Sequence, residues 1–169
     1  PVVAGVATDL SESKITIVGV PDVPGKAAQI FTIVADTLAN IDMIVQNVST
    51  TRSGETDISF TLAKSDVPAV LAALEAARAE VGFAELLHDD DIAKVSVVGA
   101  GMRSSAGVSA KLFTALYEAG VNMEMISTSE IRISVVARAS AAATAARAIH
   151  AAFGLDGEAD AVVYAGTGR

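Results

Sequence analysis

Two short loops hold the residues of this chain whose types and spacing best suit ligand chemistry. They are Pro21–Lys26 and Gly101–Gly107, and each lies between a predicted strand and a predicted helix. A glycine at a helix start lets backbone N–H groups approach a carboxylate, while Asp22 is placed to face an ammonium group. These features are the minimum description of an α-amino-acid site. In the simpler alternative, which stays open, Gly25 and Gly107 only shape turns and Asp22 only begins one.

Residue spacing argues against dinucleotide binding, metal binding and nucleophilic catalysis. Gly99–Gly101 is similar to the start of a dinucleotide-binding loop, but Ser104 stands where the third glycine should be, which favours a turn. His88 beside Asp89–Asp91 favours a solvated acidic loop over a metal site, because adjacent loop residues rarely converge on one ion. Without a nucleophile and base at suitable spacing, the sequence predicts no catalytic residue, no cofactor and no metal.

An internal repeat indicates which elements position the two loops. Lys14–Gly19 returns as Lys94–Gly99, and later positions of the first copy return in the second. Each copy reads as a strand, a helix, two strands, a second helix and a closing strand, and Ser65–Asp66 and Ser140 are predicted to cap the second helices. The sequence therefore predicts an α+β fold of two ferredoxin-like βαββαβ units, with antiparallel sheets and helices on one face.

The predicted domain boundary lies at the acidic run Asp89–Asp91. It divides the chain into residues 1–91 and 92–169. The first domain includes an additional strand at Val2–Ala7 that belongs to neither copy, and the second domain closes with the strand Ala161–Ala165. Because few residues separate the two copies, we expect them to pack side by side without a flexible tether.

Composition excludes several classes of partner. The 169-residue chain has a formal net charge of −8 and only 4% aromatic residues, which argues against nucleic acid binding. It is 51% hydrophobic, yet no apolar run approaches the roughly 18 residues of a membrane-spanning helix, and no secretion signal is expected. Cysteine is absent, which suits a reducing compartment. The sequence predicts a globular cytoplasmic protein.

Six stretches of the chain carry a resemblance to a known family. They are Val3–Asp9, Asn40–Ser49, Gly99–Arg103, Asn122, Ile126–Ser134 and Val163–Arg169. Together they resemble paired ACT domains, and in particular the regulatory region of aspartate kinase (aspartokinase) of the actinobacterial type. The similarity covers essentially the whole chain, and its most specific parts are Gln46–Ser49 and Ser127–Ser134.

This resemblance implies a regulatory β subunit, which corresponds to the C-terminal regulatory part of a catalytic α subunit and lacks the kinase domain. It implies feedback inhibition in the aspartate-family pathway to lysine, threonine and methionine, by L-threonine with L-lysine acting in concert. It also implies a homodimer formed through the ACT domains and assembly with α subunits. One alternative is an assembly subunit that binds no effector by itself, and another is an enzyme that retains aspartate phosphorylation.

The resemblance also implies where the effectors bind. It places threonine between the first ACT domain of one chain and the second ACT domain of its partner. The matching positions are Asp22, Gly25, Ala27, Gln46, Ser109, Asn122, Met123 and Glu130. Ser49 and Ser59 match positions associated with lysine feedback. The Asn122–Met123 backbone and the side chains of Asp22 and Gln46 can fix the charged and hydroxyl groups of one small polar ligand.

Overall fold

The computed structural model of the chain describes residues 3–48, 54–100, 107–155 and 162–165. It forms two compact units, which we call the first unit (Glu12–Asp90) and the second unit (Pro1–Ser11 with Asp91–Arg169). In chain order the strands and helices are β1 (Gly5–Asp9), β2 (Glu12–Pro21), α1 (Lys26–Asp36), β3 (Ile41–Val48), β4 (Glu55–Ala63), α2 (Val67–Ala76), α3 (Arg78–Val81), β5 (Glu85–Asp89), β6 (Ile92–Val98), α4 (Val108–Glu118), β7 (Met125–Thr128), β8 (Arg132–Arg138), α5 (Ala142–Ala152) and β9 (Val162–Ala165).

The first unit is a four-stranded antiparallel sheet covered on one face by helices. Its strand order is β3-β4-β2-β5. Alternation along the two central strands turns one set of large side chains toward α1 and α2, because successive residues of a strand point to opposite faces. This set forms a single core with the helices and includes Ile15, Ile17, Ile58, Phe60 and Leu62. The predicted βαββαβ order and the α+β class are confirmed for this unit.

The second unit repeats this plan with one difference in its strands. Its sheet has the order β7-β8-β6-β1-β9. β1 runs antiparallel to β6, and β9 lies outside β1 and parallel to it. The helices α4 and α5 cover a core that includes Val95, Val97, Leu112, Val135 and Ile149. The unit therefore has an α+β fold, with the N-terminal strand inside its sheet.

The grouping of the N-terminal strand with the first domain is wrong, and the register of the sheets explains why. Asp9 of β1 pairs with Lys94, just as Asp89 of β5 pairs with Lys14 in the first unit. β1 thus fills the position in the second sheet that β5 fills in the first. The chain passes from the first unit to the second between Asp90 and Asp91, one residue before the predicted boundary.

The predicted side-chain caps of the second helices are also corrected. A single 3-10 turn precedes each of these helices, at Lys64–Asp66 before α2 and at Ala139–Ala141 before α5. Neither Asp66 nor Ala141, the residues at the N-cap positions, makes a side-chain capping hydrogen bond. Short 3-10 turns commonly lead into α-helices, and here both copies use one at the equivalent place.

The turn after the first helix differs between the two units in one respect. Leu38 has a φ of 68° and a side chain that is 88% exposed, while Gly120 follows α4 at the equivalent position with a φ of 74°. In each case the backbone N–H donates to a carbonyl three residues earlier. The left-handed region costs a residue with a Cβ about 1–2 kcal/mol. The first unit therefore carries a strained turn that the second unit avoids.

We predict that Leu38→Gly raises the free energy of unfolding by about 0.5–1 kcal/mol, because the strain that is relieved exceeds the entropic cost of glycine. The matched change in the second unit, Gly120→Ala, should lower it by about 1 kcal/mol. Denaturant unfolding of both variants beside the parent chain measures the two effects. A stabilising Gly120→Ala would contradict this account of the turn.

Candidate functional site

The two helix-start glycines adopt the same conformation. Gly25 and Gly107 have φ values of 91° and 89°, and each carbonyl accepts the backbone N–H four residues later at 2.9 Å. A Cβ built on either glycine would meet no atom within 4 Å, so the left-handed backbone, and not crowding, is what requires glycine. The turn-shaping role is therefore present in both copies. The rest of the second loop, residues 101–106, lies outside the described residues.

The first copy gathers its predicted effector residues at one end of its sheet. We call this the helix-start end, because α1 begins there. Asp22, Gly25 and Ala27 are exposed in the loop and the first turn of α1, and the backbone N–H of Asp22 donates to Gly54 at 2.8 Å. Gln46 is exposed near the end of β3, where it pairs with Ile58. Since Ile58 faces the helices, Gln46 lies on the same face and at the same end as the α1 loop.

The second copy divides its predicted residues between two ends. Ser109 is exposed in the first turn of α4, and Glu130 is exposed in the turn after β7, so both lie at the helix-start end of their sheet. Asn122 and Met123 precede β7 and lie at the opposite end. Asn122 is exposed, whereas Met123 packs partly buried against the core of the unit. One unit alone therefore does not bring these four residues together.

Ser59, which the resemblance associates with lysine feedback, lies on a different face of the sheet from Gln46. The Ser59 hydroxyl is 2.9 Å from the Thr16 hydroxyl, and both belong to the sheet face that turns away from the helices. The second copy has the same feature, in which the Ser96 and Ser134 hydroxyls are 2.7 Å apart. This pairing of hydroxyls was not predicted, although a serine or threonine stands at both positions in each copy. Ser49 lies outside the described residues.

Two outer strands present apolar side chains that the sequence analysis did not single out. β3 and β7 are outermost in their sheets, and their repeat-equivalent residues Ile44 and Ile126 are 54% and 43% exposed. An outer strand offers unpaired backbone N–H and C=O groups on one side, which can pair with another strand. The signal in the sequence is an isoleucine kept at the same position in both copies.

The histidine of the acidic run between the two copies lies beside one carboxylate. His88 Nε2 is 3.6 Å from a carboxylate oxygen of Asp90, and Asp90 also accepts a hydrogen bond from Ser13. Within residues 3–48, 54–100, 107–155 and 162–165, no three His, Asp or Glu side chains are placed to hold a metal ion. No helix in these ranges combines the length and hydrophobicity that crossing a bilayer requires.

Comparison with known proteins agrees with the repeated fold. A family model described as ACT domain matches residues 15–77 and 95–153. The aspartokinase of Mycobacterium tuberculosis is 55% identical over all 169 residues of this chain, which spans 40% of that protein's length. The match to curated aspartokinases thus concerns less than half of each of those proteins.

Two solved structures correspond to the chain almost from end to end. The ligand-free regulatory subunit of aspartate kinase from Thermus thermophilus is 44% identical, with a TM-score of 0.85 over 90% of this chain and 99% of that one. A chain in a structure of aspartokinase alpha and beta subunits is also 44% identical, with a TM-score of 0.84 and the same coverage. The duplicated fold, the family match and this coverage show that the chain belongs to the ACT domain family and corresponds to the paired regulatory ACT domains of aspartate kinase.

Proposed function

We propose that this chain is the effector-binding regulatory part of an aspartate kinase, which acts in feedback inhibition of the aspartate-family pathway. Its effector is L-threonine, and L-lysine acts with it. The observation that carries the proposal is the cluster of Asp22, Gly25, Ala27 and Gln46 at the helix-start end of the first sheet, beside the open strand β3. The threonine site extends from this cluster onto a second copy of the chain.

A homodimer in which β3 of one chain pairs with β7 of its partner explains the division of the second-copy residues. Each of these strands runs toward the helix-start end of its own sheet. If β3 and the partner's β7 pair antiparallel, the end of β3 meets the start of β7. That pairing puts Asn122 and Met123 of the second chain next to Gln46. Ser109 and Glu130 then lie at the other end of the interface, away from the Asp22 cluster.

The residues of this composite site match the groups of a small hydroxy amino acid. Because the N–H groups of the first turn of a helix have no acceptor within the helix, those at the start of α1 suit the α-carboxylate of the ligand. The Asp22 carboxylate suits the α-ammonium through a charge-assisted hydrogen bond. The side-chain amide of Gln46 and the backbone at Asn122–Met123 offer both donors and acceptors to a hydroxyl. A site that spans two chains binds only one of their arrangements well, and this differential affinity is what inhibition requires.

The proposal includes a catalytic partner. The similar chain described above was solved in a structure of aspartokinase alpha and beta subunits, and this chain spans 40% of the length of its curated aspartokinase relatives. We propose that the chain regulates an aspartate kinase α subunit in the cytoplasm. The chain has no cysteine and therefore no disulfide that would need an oxidising compartment. The ATP-dependent phosphorylation of aspartate belongs to that partner.

Isothermal titration of the purified chain with L-threonine tests the proposal, with L-lysine and L-aspartate as comparisons. Saturable binding of threonine is expected. If none of the three amino acids gives heat, alone or with α subunit present, the alternative of an assembly subunit without an effector is favoured. Phosphorylation of aspartate by the purified chain alone would overturn the regulatory assignment.

We predict that Asp22→Ala and Gln46→Ala each weaken threonine binding while the fold remains intact. Loss of a hydrogen bond to a charged group should weaken binding roughly 10- to 100-fold for Asp22, and loss of a neutral one should have a smaller effect for Gln46. Titration calorimetry gives both affinities. Matched controls are Asp36→Ala, at the other end of α1, and Asn47→Ala, next to Gln46 on the opposite face. Unchanged affinity in both site variants would refute these residue assignments.

A second prediction concerns the dimer. Ile44→Lys and Ile126→Lys should each shift the chain toward monomer, because a lysine on an outer strand opposes edge-to-edge pairing. Light scattering over a range of protein concentrations measures the molar mass. Leu87→Lys is the matched control, since Leu87 is 49% exposed on β5, the outermost strand at the other side of the first sheet. If Leu87→Lys alone produced monomer, the proposed interface would be misplaced.

A third prediction separates the structural and regulatory roles of Ser59. Ser59→Ala and Ser134→Ala each remove one member of a hydroxyl pair and should lower the free energy of unfolding by about 1 kcal/mol. Only Ser59→Ala should also reduce the thermal stabilisation that lysine gives in the presence of threonine. An equal lysine response in the two variants would leave Ser59 with a structural role alone.

A further inference from the structure

The segment that carries Asn122 and Met123 is held on both sides. Before it, Val121 is buried and its backbone N–H donates to the carbonyl of Leu116 at 2.9 Å. After it, the backbone N–H of Glu124 donates to the carbonyl of Val136 on β8 at 2.7 Å. Asn122 itself is exposed between these two anchors. The segment that contains the exposed Asn122 is therefore held by backbone hydrogen bonds on both sides.

An ion pair adds a side-chain anchor at the same place. Arg138 at the end of β8 contacts both carboxylate oxygens of Glu124, with Nε 2.8 Å from Oε2 and Nη2 3.3 Å from Oε1. Two guanidinium nitrogens on two carboxylate oxygens define an orientation as well as a distance. Only 20% of the Glu124 side chain and 41% of the Arg138 side chain is exposed. Both the backbone and the side chain of Glu124 are thus tied to β8.

The first copy of the repeat provides a contrast within the same chain. Arg138 has φ and ψ of −63° and 141° just before the 3-10 turn, and Ala63 has −60° and 139° at the equivalent place. Alanine cannot form this ion pair. The first copy instead anchors its segment by a bond from the Met43 backbone N–H to the Thr61 hydroxyl at 3.0 Å. The arginine anchor is therefore specific to the copy that presents Asn122 and Met123.

We infer that Arg138 is a positioning residue for the effector. Through Glu124 it fixes the Asn122–Met123 backbone in the orientation that the ligand requires, so that binding does not have to order this segment. The inference rests on the proposed function, because it assigns Arg138 a role in the same threonine site. Arg138 acts through Glu124, and no direct contact between Arg138 and the ligand is needed.

Calorimetric titration with L-threonine, well below the unfolding temperature of every variant, tests this role. Arg138→Ala should weaken binding about tenfold, the loss that corresponds to one hydrogen-bonded ion pair. Arg138→Lys should lie between the parent and Arg138→Ala, because an ammonium cannot reproduce the two-pronged geometry. The control Arg78→Ala removes an ion pair with Glu75 in the first unit, with 3.0 Å between Nη1 and Oε1, together with the contact of Arg78 with Phe83. It should leave the affinity unchanged.

A double-mutant cycle distinguishes positioning from a general loss of stability. If Arg138 acts through Glu124, the variant that combines Arg138→Ala with Glu124→Gln should bind threonine no more weakly than Arg138→Ala alone. If the parent chain binds threonine and both Arg138→Ala and Glu124→Gln bind it with the same affinity as the parent, the inference is overturned but the proposed function is not. A parent chain that binds no threonine would overturn both. If Arg138→Ala does not fold, Arg138→Lys and Glu124→Gln decide the question.

Discussion

The structure depends on the need to pair both sides of β6. Residues Ile92–Val97 are all buried, so the backbone N–H and C=O groups on both sides of this strand require partners. β8 supplies the partners on one side, and β8 also pairs with β7, the strand just before it in the sequence. The partners on the other side come from β1, which lies about 85 residues earlier in the sequence, since Asp9 pairs with Lys94. The second ACT domain is consequently built from two separate stretches of sequence, and the sequence of the first domain is inserted between these two stretches.

The duplicated framework is nearly constant, and the differences lie in what is attached to it. Both copies keep the helix-start glycine, the 3-10 turn before the second helix and the pair of hydroxyls across the two central strands. They differ in the contacts that hold the start of the outer strand. In the first copy the Thr61 hydroxyl accepts a backbone N–H, whereas at the corresponding position of the second copy the Val136 carbonyl does so. Ala63 of the first copy corresponds to Arg138, which adds an ion pair in the second. In the proposed threonine site, such differences let two similar halves contribute unlike parts.

Much of this fold could be predicted from the sequence, because short-range patterns determine it. Alternation in β2 and β6, helical spacing after Gly25 and Gly107, and the repeat itself indicate each element and its order. The strand that pairs with β1 could not be predicted, because pairing between strands far apart in the sequence leaves no local sequence pattern. Residue types did not reveal the left-handed turn at Leu38, because the equivalent glycine is absent there. The contact between Arg138 and Glu124 likewise depends on a register that only the assembled sheet defines.

The interleaved order of the two domains has a consequence for how the chain folds. Closing a loop of roughly 85 residues to bring β1 to β6 would cost about 4 kcal/mol of chain entropy. The first unit removes most of this cost if it folds early, because β2 and β5 are neighbours and Lys14 pairs with Asp89, so its two ends leave side by side. Early folding of the first domain thus promotes folding of the second. A destabilising substitution in the core of the first domain would therefore slow the formation of the second sheet, although the first domain contributes no strand to that sheet.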